Sequence, residues 1–145
     1  MKYLVLVFLM LMTMSFTEWK YDLVEAKLIA QKEHKYILLN FSGSDWCGPC
    51  IRLHKEILEA SEFVHFADRN LVMVNADFPR LRKNQLPALQ QRINEELAEQ
   101  YNPKGVFPFT LLLDEHGKIL KTWEGKPNSG PDGFIGDIQL AIVIK

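Results

Sequence analysis

The chain has 145 residues, with 17 Lys+Arg against 18 Asp+Glu for a formal net charge of −1, and at 48% hydrophobic it is far from the composition of a disordered chain. That length suits one domain able to bury a core, and a mean hydropathy of −0.08 excludes a multi-span membrane protein. The missing basic excess excludes a protein that works by neutralising phosphates, so nucleic acid is not an expected partner, and two cysteines, Cys47 and Cys50, are too few for a disulfide-stapled scaffold.

Residues 1–17 have the form of a signal peptide. Met1-Lys2-Tyr3 supplies one positive charge, Leu4 to Met12 is an apolar run, and Thr13 to Thr17 is mostly small and polar. The run is short of the roughly 20 apolar residues a spanning helix needs. Thr13/Ser15 and Ser15/Thr17 are only passable at the small-residue cleavage positions, so a retained N-terminal anchor is the alternative. No cysteine follows the run to take a lipid. Residues 18–145 are then expected to form a single domain.

Trp19, Leu23, Ala26 and Ala30 recur at helical spacing and predict an amphipathic helix over 18–33. Tyr36 to Phe41 is a short, almost continuously apolar run and predicts a strand buried on both faces. Ser42-Gly43-Ser44-Asp45 breaks it. From Pro49 onward, Ile51, Leu53, Ile57 and Leu58 with interleaved charges predict a helix that has Cys47 at its mouth. Ser61 is placed to cap a short helix through Phe66, and Leu71 to Asp77 predicts a second buried strand, closed by Phe78-Pro79. A helix is expected from about Pro87 to Gln100, with Leu89, Ile93 and Leu97 four apart. After Gly105-Val106-Phe107-Pro108, strands at 109–113 and 119–123 flank the turn Asp114 to Lys118 as an antiparallel hairpin. Phe134, Ile138, Ala141, Ile142 and Val143 predict a closing helix. The order implies an α/β domain: a central mixed β-sheet covered by helices on both faces.

The cysteine pair carries the chemistry. A thiolate at a helix N-terminus faces unpaired backbone N–H groups and the positive end of the helix dipole, and both favour ionisation. Two intervening residues keep the second sulfur within disulfide reach, so a mixed disulfide can be resolved without large motion. Cys47, the more N-terminal and the expected more exposed thiol, is assigned the attack, and Cys50 the resolution. Gly48 and Pro49 suit the tight entry into a helix. Cys47, Cys50 and His54 could also be read as zinc ligands, but a structural site takes four and no second cysteine pair exists. A purely structural disulfide closing so small a loop would constrain the unfolded chain little. His34, His65 and His116 read as surface residues. No metal and no cofactor is expected beyond the redox-active Cys47–Cys50 disulfide itself.

Trp46-Cys47-Gly48-Pro49-Cys50 at a strand–helix junction, followed far downstream by Phe107-Pro108, resembles the thioredoxin superfamily over nearly all of residues 19–145. The resemblance implies a thioredoxin fold and a cis Pro108 lying against the disulfide, with the Phe107 backbone left free to pair with an extended substrate. It places Trp46, Gly48, Pro49, Phe107 and Pro108 at the substrate-binding surface. Phe41 through Cys47, then Asp77-Phe78-Pro79 and a long helix before Phe107-Pro108, is similar to secreted bacterial thioredoxin-like proteins of the disulfide-interchange type. Two departures matter. Where the family has a buried Asp with a Lys partner on the next strand, this chain aligns Asn40 and Met73. Asn takes no proton at neutral pH, so water or a nearby carboxylate such as Asp45 would have to serve, and Asn40 itself reads as a structural amide. Phe109 replaces the Thr common after the cis-proline, so Phe107 and Phe109 are candidates for an apolar substrate rim, unless strand alternation places one of them in the core. Asn40-Phe41-Ser42 also matches a glycosylation sequon that a buried strand would hide.

The resulting expectation is a thiol–disulfide oxidoreductase that reduces or isomerises disulfides of extracytoplasmic proteins, located in a bacterial periplasm. The alternative is a dedicated thiol-maintenance partner or chaperone for one assembly, such as cytochrome c maturation. Gly-Pro between the cysteines is the thioredoxin choice and favours a reductant. Disulfide-containing protein substrates and a membrane thiol-relay electron donor are the expected partners, and the expected state is a monomer.

Overall fold

Strand β2 (Tyr36–Ser42) is the axis of the molecule, and its run of apolar residues reflects burial on both faces. A computed structural model describes residues 17–144; the leader-like segment discussed above therefore lies almost wholly outside the described residues. β2 pairs in parallel with β3 (Leu71–Asp77), from Tyr36↔Leu71 to Ser42↔Asp77, and antiparallel with β4 (Phe109–Leu113), from Ile37↔Leu113 to Phe41↔Phe109. β1 (Trp19–Lys20) lies parallel to β3 at one edge, and β5 (Ile119–Glu124) closes the hairpin with β4 at the other, giving the order β1-β3-β2-β4-β5.

The alternation along β2 divides the core. Ile37, Leu39 and Phe41 face Leu23, Ala26 and Ala30 of α1 (Leu23–Glu33) and Leu97 and Tyr101 of α4 (Ala88–Tyr101). Leu38 faces the other way, toward Leu53 of α2 (Gly48–Leu53), Ile57 and Leu58 of the π-helical turn that continues it, Phe63 of α3 (Ser61–Asn70) and Phe134 of α5 (Gly130–Val143). This is the mixed sheet with helices on both faces that the element order implies.

Two boundaries and one exposure differ from the sequence expectation. The helix expected over 18–33 begins at Leu23, with the Asp22 carboxylate accepting the Val24 N–H at 2.7 Å. Trp19 belongs instead to β1, in register with Met73, and its ring stacks on His54 at 5.5 Å. Pairing with β3 outweighs the helical spacing there. The helix expected to end at Phe66 runs on to Asn70, with Ser61 as its first residue and Ala60 as its cap. Leu89, four residues from Ile93, is 70% exposed, because the buried face of α4 runs through Asn94, Leu97 and Tyr101 and a strict spacing of four drifts off it.

Candidate functional site

The site lies beyond the carboxyl ends of β2 and β3, where β2 has a parallel neighbour on one side and an antiparallel one on the other. Such reversals open a crevice at the strand ends. After Ser42 the chain turns sharply: the Trp46 and Cys47 amides both donate to the Gly43 carbonyl, at 3.3 and 2.9 Å. The indole of Trp46 folds back over Gly43 so closely that a Cβ there would stand 2.3 Å from the ring, so glycine is required. The indole N–H donates to the Phe78 carbonyl at 2.8 Å, tying the motif loop to the residue that follows β3.

Cys47 is the N-cap of α2, with extended backbone, and Pro49 occupies the first turn, where its missing N–H is no loss. The Cys47 Sγ accepts the Cys50 amide N–H at 3.3 Å and forms a disulfide with Cys50, the Cα atoms 5.2 Å apart. Cys47 is 5% exposed and Cys50 4%. The expected difference in exposure is therefore absent in the oxidised form. What distinguishes the two sulfurs is position, since Cys47 caps the helix and Cys50 is already inside its first turn.

The Phe107–Pro108 peptide is cis. Pro108 is buried, and its carbonyl accepts the Gly125 N–H at 2.8 Å. Phe107 is half-buried and stands edge-on to both Trp46 and Phe78, at 5.5 Å from each ring centroid. Trp46, Gly48, Pro49, Phe107 and Pro108 thus share one end of the sheet with the two cysteines. Phe109 does not join a rim: it stacks on Phe41 at 6.4 Å and packs on the core, as the strand's alternation dictates.

Sequence reasoning assigned no site role to the segment after β3, although it had singled out Asp77-Phe78-Pro79 as the strand's closure. Asp77 accepts the Ser44 amide at 2.9 Å and also the Ser44 hydroxyl, and its own carbonyl accepts the side-chain amide of buried Asn94 at 2.8 Å. Asp45 accepts the Arg80 and Leu81 amides, both at 2.9 Å, and the Asn84 side chain at 3.0 Å. The contacts of Asp77 with Ser44 and of Asp45 with the segment after β3 span 33 or more residues, and only the Asp77-Phe78-Pro79 cluster gave any sequence signal for them.

Asp45 does not suit the proton-accepting role considered for it. The Arg80 amide above all, and then the Asn84 side chain and the Leu81 amide, hold its carboxyl below the ordinary value near 3.8, which makes it a weak base committed to the loop. A group with a lowered folded-state pKa stabilises above its unfolded value, and that contribution disappears as pH falls through the folded value. Replacing Asp45 by Ala is expected to speed amide hydrogen exchange at Arg80 and Leu81 about tenfold or more at neutral pH, and the unsubstituted protein should show the same loosening only below pH 3.8. Unchanged protection in the variant would mean that the loop holds itself.

Asn40 is 2% exposed and Thr110 fully buried. The Thr110 hydroxyl donates to the Asn40 Oδ1 at 3.0 Å, and the Asn40 Nδ2 reaches the Asn75 Oδ1 at 3.5 Å, so Asn40 is a satisfied structural amide. That burial also hides the Asn40-Phe41-Ser42 sequon. His54 is engaged by Trp19 and by Glu59 at 2.9 Å, and His34, His65 and His116 are exposed. Among the described residues, no group of three or more His, Cys, Asp or Glu side chains is arranged to hold a metal ion. No helix among them is long and apolar enough to cross a membrane.

Comparison with known proteins gives concordant results. A family model described as a thioredoxin-like domain matches residues 23–129. The disulfide bond reductase DsbH of Chlamydia pneumoniae is 38% identical over 128 residues, covering 88% of this chain and 74% of that protein. The thioredoxin-related protein DsbJ of the same organism is 33% identical over 125 residues, 86% of this chain but only 35% of that longer protein. A solved structure of a DsbH oxidoreductase superposes with a TM-score of 0.79 at 37% identity, covering 90% of this chain and 87% of that one.

Proposed function

This chain belongs to the thioredoxin-like family and is a thiol–disulfide oxidoreductase; from that premise we propose that it works as a reductant, with Cys47 as nucleophile and Cys50 as resolving thiol. The observation that carries the assignment of Cys47 as nucleophile is the Cys50 N–H donated to the Cys47 Sγ at a helix N-cap, while the reductive direction rests on the Gly48-Pro49 pair between the cysteines. That donor favours the thiolate of Cys47 over its thiol, and no equivalent bond reaches the Cys50 sulfur among the described residues.

The cycle balances through two exchanges. A donor dithiol first transfers two electrons and two protons to the Cys47–Cys50 disulfide, leaving itself as a disulfide and this protein as a dithiol. The Cys47 thiolate then attacks one sulfur of a substrate disulfide, forming a mixed disulfide and expelling a substrate thiolate. The Cys50 thiolate attacks Cys47 Sγ, the second substrate thiolate leaves, and the internal disulfide returns. Trp46, Phe78 and Phe107 offer the apolar platform on which the substrate chain rests. Among the described residues the backbone N–H and C=O of Phe107 have no partner, which leaves them available to an extended segment.

The N-terminal pattern supports action outside the cytoplasm, with residues 1–17 as the leader and disulfide-bearing exported proteins as substrates. Since a nicotinamide-dependent reductase does not accompany an exported protein, a membrane thiol-relay protein is the donor we propose. The name of the relative from Chlamydia pneumoniae, a disulfide bond reductase, agrees with the reductive direction.

Equilibrium titration of the Cys47–Cys50 couple against glutathione tests the direction. The expected potential lies near that of thioredoxin, about −270 mV, and a value near about −120 mV, that of a strong oxidant, would overturn it.

A further inference from the structure

Residues 80–83 read Arg80-Leu81-Arg82-Lys83, and thiol–disulfide exchange by itself requires no basic segment there. The segment is nonetheless fastened to the motif. Asp45 takes its amides, and the Arg80 guanidinium lies over the Trp46 ring, with its Cζ 3.6 Å from the ring centroid. On the other side of Cys47, Arg52 folds back along α2, and its Nη1 is 3.5 Å from the point where a Cβ on Gly48 would stand. Trp46, Cys47 and Gly48 are consecutive, so a guanidinium group lies beside each chain neighbour of Cys47.

Arg52, Arg80, Arg82 and Lys83 are all exposed, and among the described residues none forms an ion pair. Two acids of the adjoining segments are committed elsewhere. Asp45 is bound to the loop amides and Asp77 to Ser44. Glu124 sits at the opposite flank, in register with Phe109 beyond Pro108. Four basic side chains without an ion-pair partner among the described residues thus stand on the Trp46–Gly48 side of the disulfide and its adjoining loop, in a protein whose overall charge is −1. Unpaired like charges held together repel one another, and a ligand carrying carboxylates relieves that repulsion. A guanidinium whose face rests on an indole still has its N–H edge free to grip a carboxylate in a bidentate pair.

We propose that Arg80, with Arg52, Arg82 and Lys83, forms a docking rim for an acidic segment flanking the disulfide of the protein substrate, and that Arg80 is its principal specificity determinant. This inference rests on the oxidoreductase reading of Cys47 and Cys50 and names the substrate class that reading leaves open. The exchange steps are unchanged. The rim acts on the encounter, delivering a disulfide with Asp or Glu beside it to the Cys47 thiolate.

The test uses the reduced protein and two disulfide-linked peptides that differ only in Glu or Gln beside the cysteines, with thiol release followed at about 20 mM and about 500 mM salt. At low salt the Glu peptide is expected to react about tenfold faster, and at high salt less than about twofold faster. Arg80→Gln should lower the Glu/Gln ratio by about threefold or more. Lys32→Gln makes the same charge change near the end of α1 that leads into β2, the opposite end of the sheet from Cys47, and should leave the ratio as it is. Equal rates for both peptides at low salt, or equal ratios for Arg80→Gln and Lys32→Gln, would overturn the rim while leaving the oxidoreductase intact. No reaction with either peptide would overturn the oxidoreductase reading, and the rim with it.

Discussion

Replacing Cys47 by Ser is expected to abolish disulfide exchange, lowering turnover by at least about 10³-fold, while Cys50→Ser converts the protein into a trap that accumulates mixed disulfides. The alcohol of serine is not ionised near neutral pH, so neither the Cys50 N–H donated at 3.3 Å nor the helix N-terminus has a sulfur anion left to stabilise. Loss of Cys50 has the opposite signature. The first attack still occurs, but nothing inside the molecule can then displace the substrate from Cys47. Non-reducing gels of either variant incubated with a disulfide-bearing protein read the difference directly. The oxidised form gives no steric reason to choose, since exposures of 5% and 4% are equivalent. The assignment therefore stands on the N-cap position of Cys47. Adducts on Cys47→Ser and none on Cys50→Ser would reverse it.

Asn40→Asp is expected to make stability steeply dependent on pH. The replacement is nearly isosteric, but it puts a carboxyl where exposure is 2%, beside fully buried Thr110. Burial raises the pKa of such an acid above its unfolded value of about 3.9, because only the protonated form is tolerated. At pH below about 4 the acid is protonated in both states, and the variant should approach the parent. As pH rises, the unfolded chain ionises first, and stability falls by about 1.4 kcal/mol per pH unit until the folded-state pKa is reached. The deficit at neutral pH should then be about 3 kcal/mol, a large share of the 5–15 kcal/mol that ordinarily holds a domain together. Urea unfolding of both proteins at pH 4 and pH 8 measures it. A deficit that does not grow with pH would show that the position is solvated on ionisation. The Thr110 hydroxyl, able to donate to a carboxylate as it does to Asn40, moderates the loss without removing it.

The redox centre was legible because its chemistry is local. Cys47 and Cys50 are separated by one helical turn, the Gly-Pro between them suits a helix entry, and a breaking segment sets them off from the strand before. The buried strands were legible for the same reason, each being a continuous apolar run with its own punctuation. Where a residue answers to two periodicities, local pattern fails: Trp19 lies at helical spacing from Leu23 yet pairs with β3, because the strand edge and the ring of His54 offer it more than one further helical turn would.

From the chain alone follow the α/β class and the helix mouth that carries both cysteines, since each depends on spacing within a few residues and on backbone preferences that neighbours cannot hide; on sequence grounds Pro108, far downstream, is placed beside the cysteines only by the family resemblance. Tertiary structure decided the rest. The clamp of Asp45 on Arg80 and Leu81, the indole of Trp46 bonded to Phe78 and roofed by Arg80, and the buried pair of Asn40 with Thr110 link positions 32 to 70 residues apart. Hydrogen bonds and ring contacts of that kind carry no periodic signature, because what selects each partner is the meeting of β2, β3 and β4 at one end of the sheet, and that meeting exists only once the whole core has closed.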